Sequence, residues 1–160
     1  MEHGKYLLLC DEIARASAKE GNTPFGAVLV DGKGNVLLEQ GNLEGTLGEC
    51  TAHAELKLAE KASKEFSKEK LRECTLYTTV EPCAMCAGAI YWSGIGKMVY
   101  GVSERDLLAL TKGNSVNPTL DLPSREVFAR GQYEVKVEGP IEECKDELLE
   151  IHKTYWRENK

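Results

Sequence analysis

At 160 residues the chain can bury one full hydrophobic core but not comfortably two, and it is read as a single domain over residues 1–160. Its 42% hydrophobic and 29% charged residues are the proportions of a soluble globular protein, and no apolar run approaches the length of a membrane span. The formal charge of −6, from 20 basic and 26 acidic residues, argues against nucleic acid as the main partner, because polyanion binding draws on Lys and Arg.

The apolar run over residues 6–10 has neither a basic region before it nor a small-residue cleavage site after it. It therefore reads as the start of an amphipathic helix, not a signal peptide, and a cytoplasmic location is expected. That helix is predicted over residues 5–20, with Leu9, Ile13, Ala16 and Ser17 on one side and Gly21-Asn22 as its stop. Two β-rich runs then flank Asp31-Gly32-Lys33-Gly34-Asn35, a strong hairpin signal.

A second helix is predicted over residues 53–66, with Leu56, Leu58, Ala59 and Ala62 apolar and Thr51 as its cap. A strand over 75–80 leads into Pro82, a good first helical residue, and a helix to about residue 92. Next come a strand over 97–102, a short helix over 104–112 and a loop over 114–124 that holds Pro118 and Pro123. A strand over 133–137 and a helix over 141–158 complete the chain. A hairpin followed by alternating elements implies an α/β fold. The expected form is a three-layer α-β-α sandwich with a mixed five-stranded sheet and helices on both faces.

Six cysteines lie at positions 10, 50, 74, 83, 86 and 144, scattered through a chain that shows no secretory signal, and they are read as reduced. Cys83 and Cys86 share one face at a helix start, where free N–H groups favour thiolates. Such a pair serves as a redox couple, as half of a structural zinc site, or as part of a catalytic metal centre. A structural site needs a second pair, and Cys50 and Cys74 are not spaced as one. The catalytic reading needs an imidazole and a nearby carboxylate, and His53-Ala54-Glu55 supplies both. His-x-Glu at a helix start followed by Pro-Cys-x-x-Cys is the signature of zinc-dependent nucleobase deaminases.

With these residues the chain resembles the cytidine and nucleobase deaminase superfamily, and is most similar to its guanine deaminase branch. The stretches that carry the resemblance are TPFGAVLVDG (23–32), GN (41–42), TAHAELKLAEKA (51–62), LYTTVEPCAMCAGAIYW (76–92) and KMVYGV (97–102). Phe25 and the Tyr91-Trp92 pair lean towards guanine deaminases. ERDLLALTKGNSVNP departs from the run that tRNA adenosine deaminases carry after the fourth strand.

The resemblance implies one zinc ion per chain, held by His53, Cys83 and Cys86 with a fourth position left for water, and Glu55 as the proton shuttle. Cys50 is read as non-ligating, since a fourth protein ligand would close that position. Cys10, Cys74 and Cys144 are read as core. For the substrate, the resemblance implies Asn42 as a base- or sugar-fixing amide, Phe25 and Trp92 as apolar walls, and the backbone around Ala54 and Glu81 as a donor and an acceptor. Glu104, Asp106 and Asp121 are the candidates for an additional acid.

The implied reaction is hydrolytic deamination of a free purine base, guanine to xanthine, or of a related aminopurine or nucleoside. Cytosine or another pyrimidine, and an adenosine extruded from tRNA, are the alternatives. A homodimer is expected, with C-terminal segments exchanged in some family members. Substrate choice is expected to lie in the weakly matched residues 103–131.

Overall fold

A computed structural model describes residues 2–159 of the chain. The hairpin signal closes as expected. β1 (Gly26–Val30) runs antiparallel to β2 (Val36–Gly41), and the turn is held by the Asp31 carboxylate, which accepts the N–H groups of Lys33 and Asn35 at 2.9 Å each. β3 (Thr75–Val80) lies antiparallel on the other side of β1, and β4 (Lys97–Val102) and β5 (Lys136–Glu138) follow in parallel. The order β2-β1-β3-β4-β5 is the mixed five-stranded sheet that the pattern predicts.

Strand alternation sends Ala27, Leu29, Leu76, Met98 and Tyr100 to one face, and Val28, Val30, Tyr77 and Val99 to the other. The first face is covered by α3 (Ala54–Glu65), α5 (Ala84–Ser93) and α7 (Ser124–Phe128). The second is covered by α1 (Glu2–Lys19), α6 (Glu104–Thr111) and α8 (Glu142–Glu158). Helices on both faces make the three-layer α/β sandwich. Among the described residues no helix is long and apolar enough to cross a membrane.

Several expectations are corrected. The inner face of α1 is Tyr6, Leu7, Cys10, Ala14 and Ser17, while Leu9 and Ile13 lie at its margin and Ala16 is exposed. The cause is close packing. A Cβ at Gly26 would run into the Cys10 carbonyl oxygen and the Ala14 nitrogen, so the α1 backbone from Cys10 to Ala14 lies directly against β1. His53, not Thr51, occupies the N-cap of α3, and Cys83 the N-cap of α5, which leaves Pro82 outside the helix.

The last strand begins at Lys136, opposite Lys97, and not at Tyr133. The Tyr133 ring instead stacks on Tyr91 at 4.5 Å, with the Arg72 guanidinium 4.3 Å from its centroid. Three short helices, α2 (Glu44–Leu47), α4 (Lys68–Arg72) and α7, were not expected. At four or five residues they are too short to show a helical period.

Candidate active site

Two helix starts meet beyond the C-terminal end of β3. His53 caps α3 and Cys83 caps α5, both with extended backbone, and the two helices pack on each other. Their first turns therefore face one point. The Nδ1 atom of His53 lies 3.7 Å from Cys83 Sγ and 3.6 Å from Cys86 Sγ, and the three ligand atoms fall within 4.8 Å of one another. With Zn–S near 2.3 Å and Zn–N near 2.0–2.1 Å, a tetrahedral ion separates N and S by about 3.5 Å. The triad fits zinc in both spacing and donor chemistry. Cys50, three residues before His53, is exposed and stands outside it, while Cys10, Cys74 and Cys144 are buried.

The two sulfurs share protons unequally. Cys83 is pulled down to about 4, first by its hydrogen bond with Cys86 and then by His53, whereas that same bond and burial push Cys86 up. Glu55 is 5% exposed, and burial, followed by the charge of Cys83, lifts its carboxyl to about 7. A carboxyl that exchanges protons near neutrality beside a metal triad is equipped for acid–base work.

These groups open onto a cavity of about 350 Å³, which Phe25, Asn42, His53, Glu55, Glu81 and Glu104 help to line. The Glu81 carboxylate is fully engaged. It accepts the N–H of Glu104 at 3.1 Å, the N–H of Ser124 at 2.9 Å and the hydroxyl of Ser124 at 2.7 Å. Glu104 is the opposite case, with its Oε2 buried and without a partner. Burial first, then the charges of Cys83, Glu55 and Glu81, raise its pKa to about 8.

Asn42 is 1% exposed, and the Phe25 ring is backed by His152 at 5.3 Å and Trp156 at 6.1 Å, both on α8. The C-terminal helix thus supports the cavity wall of its own chain. Ala54 opens α3, where N–H groups lack intrahelical partners, and its side chain is buried.

Three expected site residues are not brought here. Trp92 is 76% exposed and does not line the cavity. It lies nine residues beyond Cys83, two and a half helical turns, and so faces the opposite side of α5. Asp121 is exposed and paired with Arg105 at 2.8 Å, and Asp106 is paired with Lys145 at 2.9 Å. Of the three acids considered together, Glu104 alone lines the cavity.

Sequence reasoning missed Glu44, which lines the cavity, and the individual residues Val116, Pro118 and Leu120 of the loop over it. The signal for Glu44 is the turn chemistry of Asn42-Leu43-Glu44, since an Asn side chain accepts the N–H two residues on. For the loop residues there is no such signal, because their position depends on tertiary contacts alone.

Residues 1–102 match the cytidine and deoxycytidylate deaminase zinc-binding region. A probable cytosine deaminase of Schizosaccharomyces pombe is 38% identical over 151 residues, covering 94% of this chain and 90% of that protein. A guanine deaminase of Bacillus subtilis is 34% identical over 128 residues, covering 79% and 81%. A structure from work on A-to-I editing by tRNA:A34 deaminases superposes with a TM-score of 0.70 at 29% identity, covering 92% of this chain and 98% of that one.

Proposed function

The chain belongs to the cytidine and deoxycytidylate deaminase zinc-binding family, and from that premise we propose that it hydrolytically deaminates a free nucleobase, with cytosine as the preferred base. The observation that carries deamination is the His53–Cys83–Cys86 triad set in one cavity with a buried Glu55. The similarity to the probable cytosine deaminase supports the choice of base. It extends over 151 residues, and so reaches well into the C-terminal third where substrate choice is expected. Guanine is the second reading, favoured by the Bacillus subtilis relative and by Phe25 in the TPFGAV stretch.

His53, Cys83 and Cys86 would hold the zinc ion, which would supply the Lewis acidity that brings ionisation of water into the neutral range. Glu55 takes one water proton on its carboxylate and delivers it to a ring nitrogen of the base; it then takes the remaining hydroxyl proton of the tetrahedral adduct and passes it to the amino group, so that the C–N bond breaks, the carbonyl forms and ammonia leaves. Without ring protonation the carbon under attack is a poor electrophile, so Glu55 governs the chemical step. Asn42 holds the base edge, and Phe25 covers one ring face. Glu104, with its unpartnered oxygen, is the second acid of the site. A neutral carboxyl there donates a hydrogen bond to a carbonyl or ring nitrogen of the base.

Ammonia release is measured for cytosine, guanine, guanosine, adenine and tRNA. The highest kcat/KM is expected for cytosine, and a preference for guanine would select the second reading. Turnover of tRNA alone would overturn the proposal.

A further inference from the structure

We propose that Glu44 is a positioning residue, whose single carboxylate oxygen aligns both the metal-ligating imidazole and the base-reading amide. The part concerning the base rests on the function proposed above; the part concerning zinc does not.

The geometry starts at His53. Its Nδ1 faces the two sulfurs, so the ring proton belongs on Nε2, and Nε2 lies 3.4 Å from Glu44 Oε1. A carboxylate behind the distal nitrogen of a ligating histidine fixes its tautomer and ring plane and strengthens it as a ligand. The same Oε1 accepts a hydrogen bond from Asn42 Nδ2 at 2.8 Å, while Asn42 Oδ1 accepts the Glu44 N–H at 2.9 Å. Both ends of the amide are therefore assigned, and it cannot flip without losing both bonds. One Nδ2 hydrogen and one Oδ1 lone pair remain for a ligand. Side by side, that donor and acceptor match the amide-like edge of a nucleobase.

Glu44 is itself held in place. It opens α2, whose Thr46 exchanges two hydrogen bonds with the Asn22 side chain at 2.9 Å each. Gly45 packs so closely on the Gly21 carbonyl that a Cβ would collide with it. The carboxylate also lines the cavity beside Asn42 and His53. No other role for it follows from the fold, since α2 contributes no buried residue to either core.

The test uses the zinc-loaded full chain and the variants E44A, E44Q, N42A and N42A/E44A. Zinc affinity is read by competition with a chromogenic chelator, independently of any substrate. E44A is expected to weaken zinc binding by ~10-fold or more, the effect of removing such an outer partner. E44Q recovers most of that loss, because its carboxamide oxygen still accepts from Asn42 and still stands behind the His53 Nε2, and being isosteric it keeps the test valid should E44A unfold.

On the preferred base, E44A raises KM by ~10-fold with a smaller change in kcat, the size expected when a buried hydrogen-bonding group loses its alignment. That rise disappears in the N42A background, because Glu44 acts on the base through Asn42. Zinc affinity of E44A equal to wild type, or of E44Q as weak as E44A, overturns the zinc arm. Additive KM effects of N42A and E44A overturn the substrate arm. If no base in the panel is turned over, the proposed function falls, while the zinc measurement still decides the role of Glu44.

Discussion

Acid should unfasten the C-terminal helix through one residue, His152. The ring is 1% exposed on α8, and its Nδ1 accepts the Trp156 indole N–H at 2.9 Å. The neutral ring therefore carries its proton on Nε2, which is buried without a partner. A second proton would have to sit on Nδ1, facing the indole N–H, among the rings of Phe25 and Trp156. Burial first, and then the charge of Arg15, hold the pKa down from 6.5 to about 4. Between those values the unfolded chain binds a proton that the folded chain refuses. Stability is thus complete above 6.5 and drains away as pH falls towards 4. From about pH 7 to about pH 5 the loss works out at about 2 kcal/mol from this group alone.

The assay is urea unfolding of wild type and H152Q at both pH values. Gln accepts the indole N–H but does not titrate, and acid effects at the metal site and at surface carboxylates are common to both proteins. Wild type should lose about 2 kcal/mol more than H152Q, read as a shift in midpoint at constant slope. Parallel losses in the two proteins would refute the reasoning.

Other outcomes follow from the same geometry. E55Q should lower kcat by ~10²-fold or more while its zinc content stays at one per chain; near wild-type turnover would remove Glu55 from the mechanism. L148A, at a fully buried position against Gly101, should cost about 2–5 kcal/mol in urea unfolding. W92A should leave kcat/KM within ~2-fold of wild type, as surface substitutions away from a site do, whereas F25A should raise KM; a large effect of W92A on turnover would contradict its placement. The homodimer expected from the resemblance is checked by sedimentation velocity, with a monomer at micromolar concentration as the contrary result.

The metal triad and its carboxylate were legible in the sequence because their chemistry is local to two helix starts. His53 and Glu55 open α3, Cys83 and Cys86 open α5, and the strand before α5 fixes the direction from which it enters. The sheet was legible for a similar reason, since the Asp31–Asn35 turn and the alternation in β1 and β3 act over a few residues. Legibility failed where the outcome depends on distant partners. The inner face of α1 is chosen by how closely Gly26 lets the helix approach, and apolar periodicity does not contain that distance. Trp92 was expected at the cavity from the resemblance alone, and its angle around α5, nine residues past Cys83, turns it to the exposed side of that helix. Glu44 was overlooked because α2 is a single turn with no buried face, so its reason for being there lies in Asn22, Asn42 and His53.

The clamp at Glu81 carries a consequence for how such a molecule can diversify. One buried carboxylate fastens the backbone at Glu104 and at Ser124, so the chain between them leaves and returns to a single anchor. Val116, Pro118 and Leu120, which overlie the cavity, all lie inside that closed segment, whereas the zinc ligands and Glu55 all lie outside it. A change confined to that segment would reshape the cover of the cavity and leave the spacing of the zinc ligands and Glu55, set earlier in the chain, as it is.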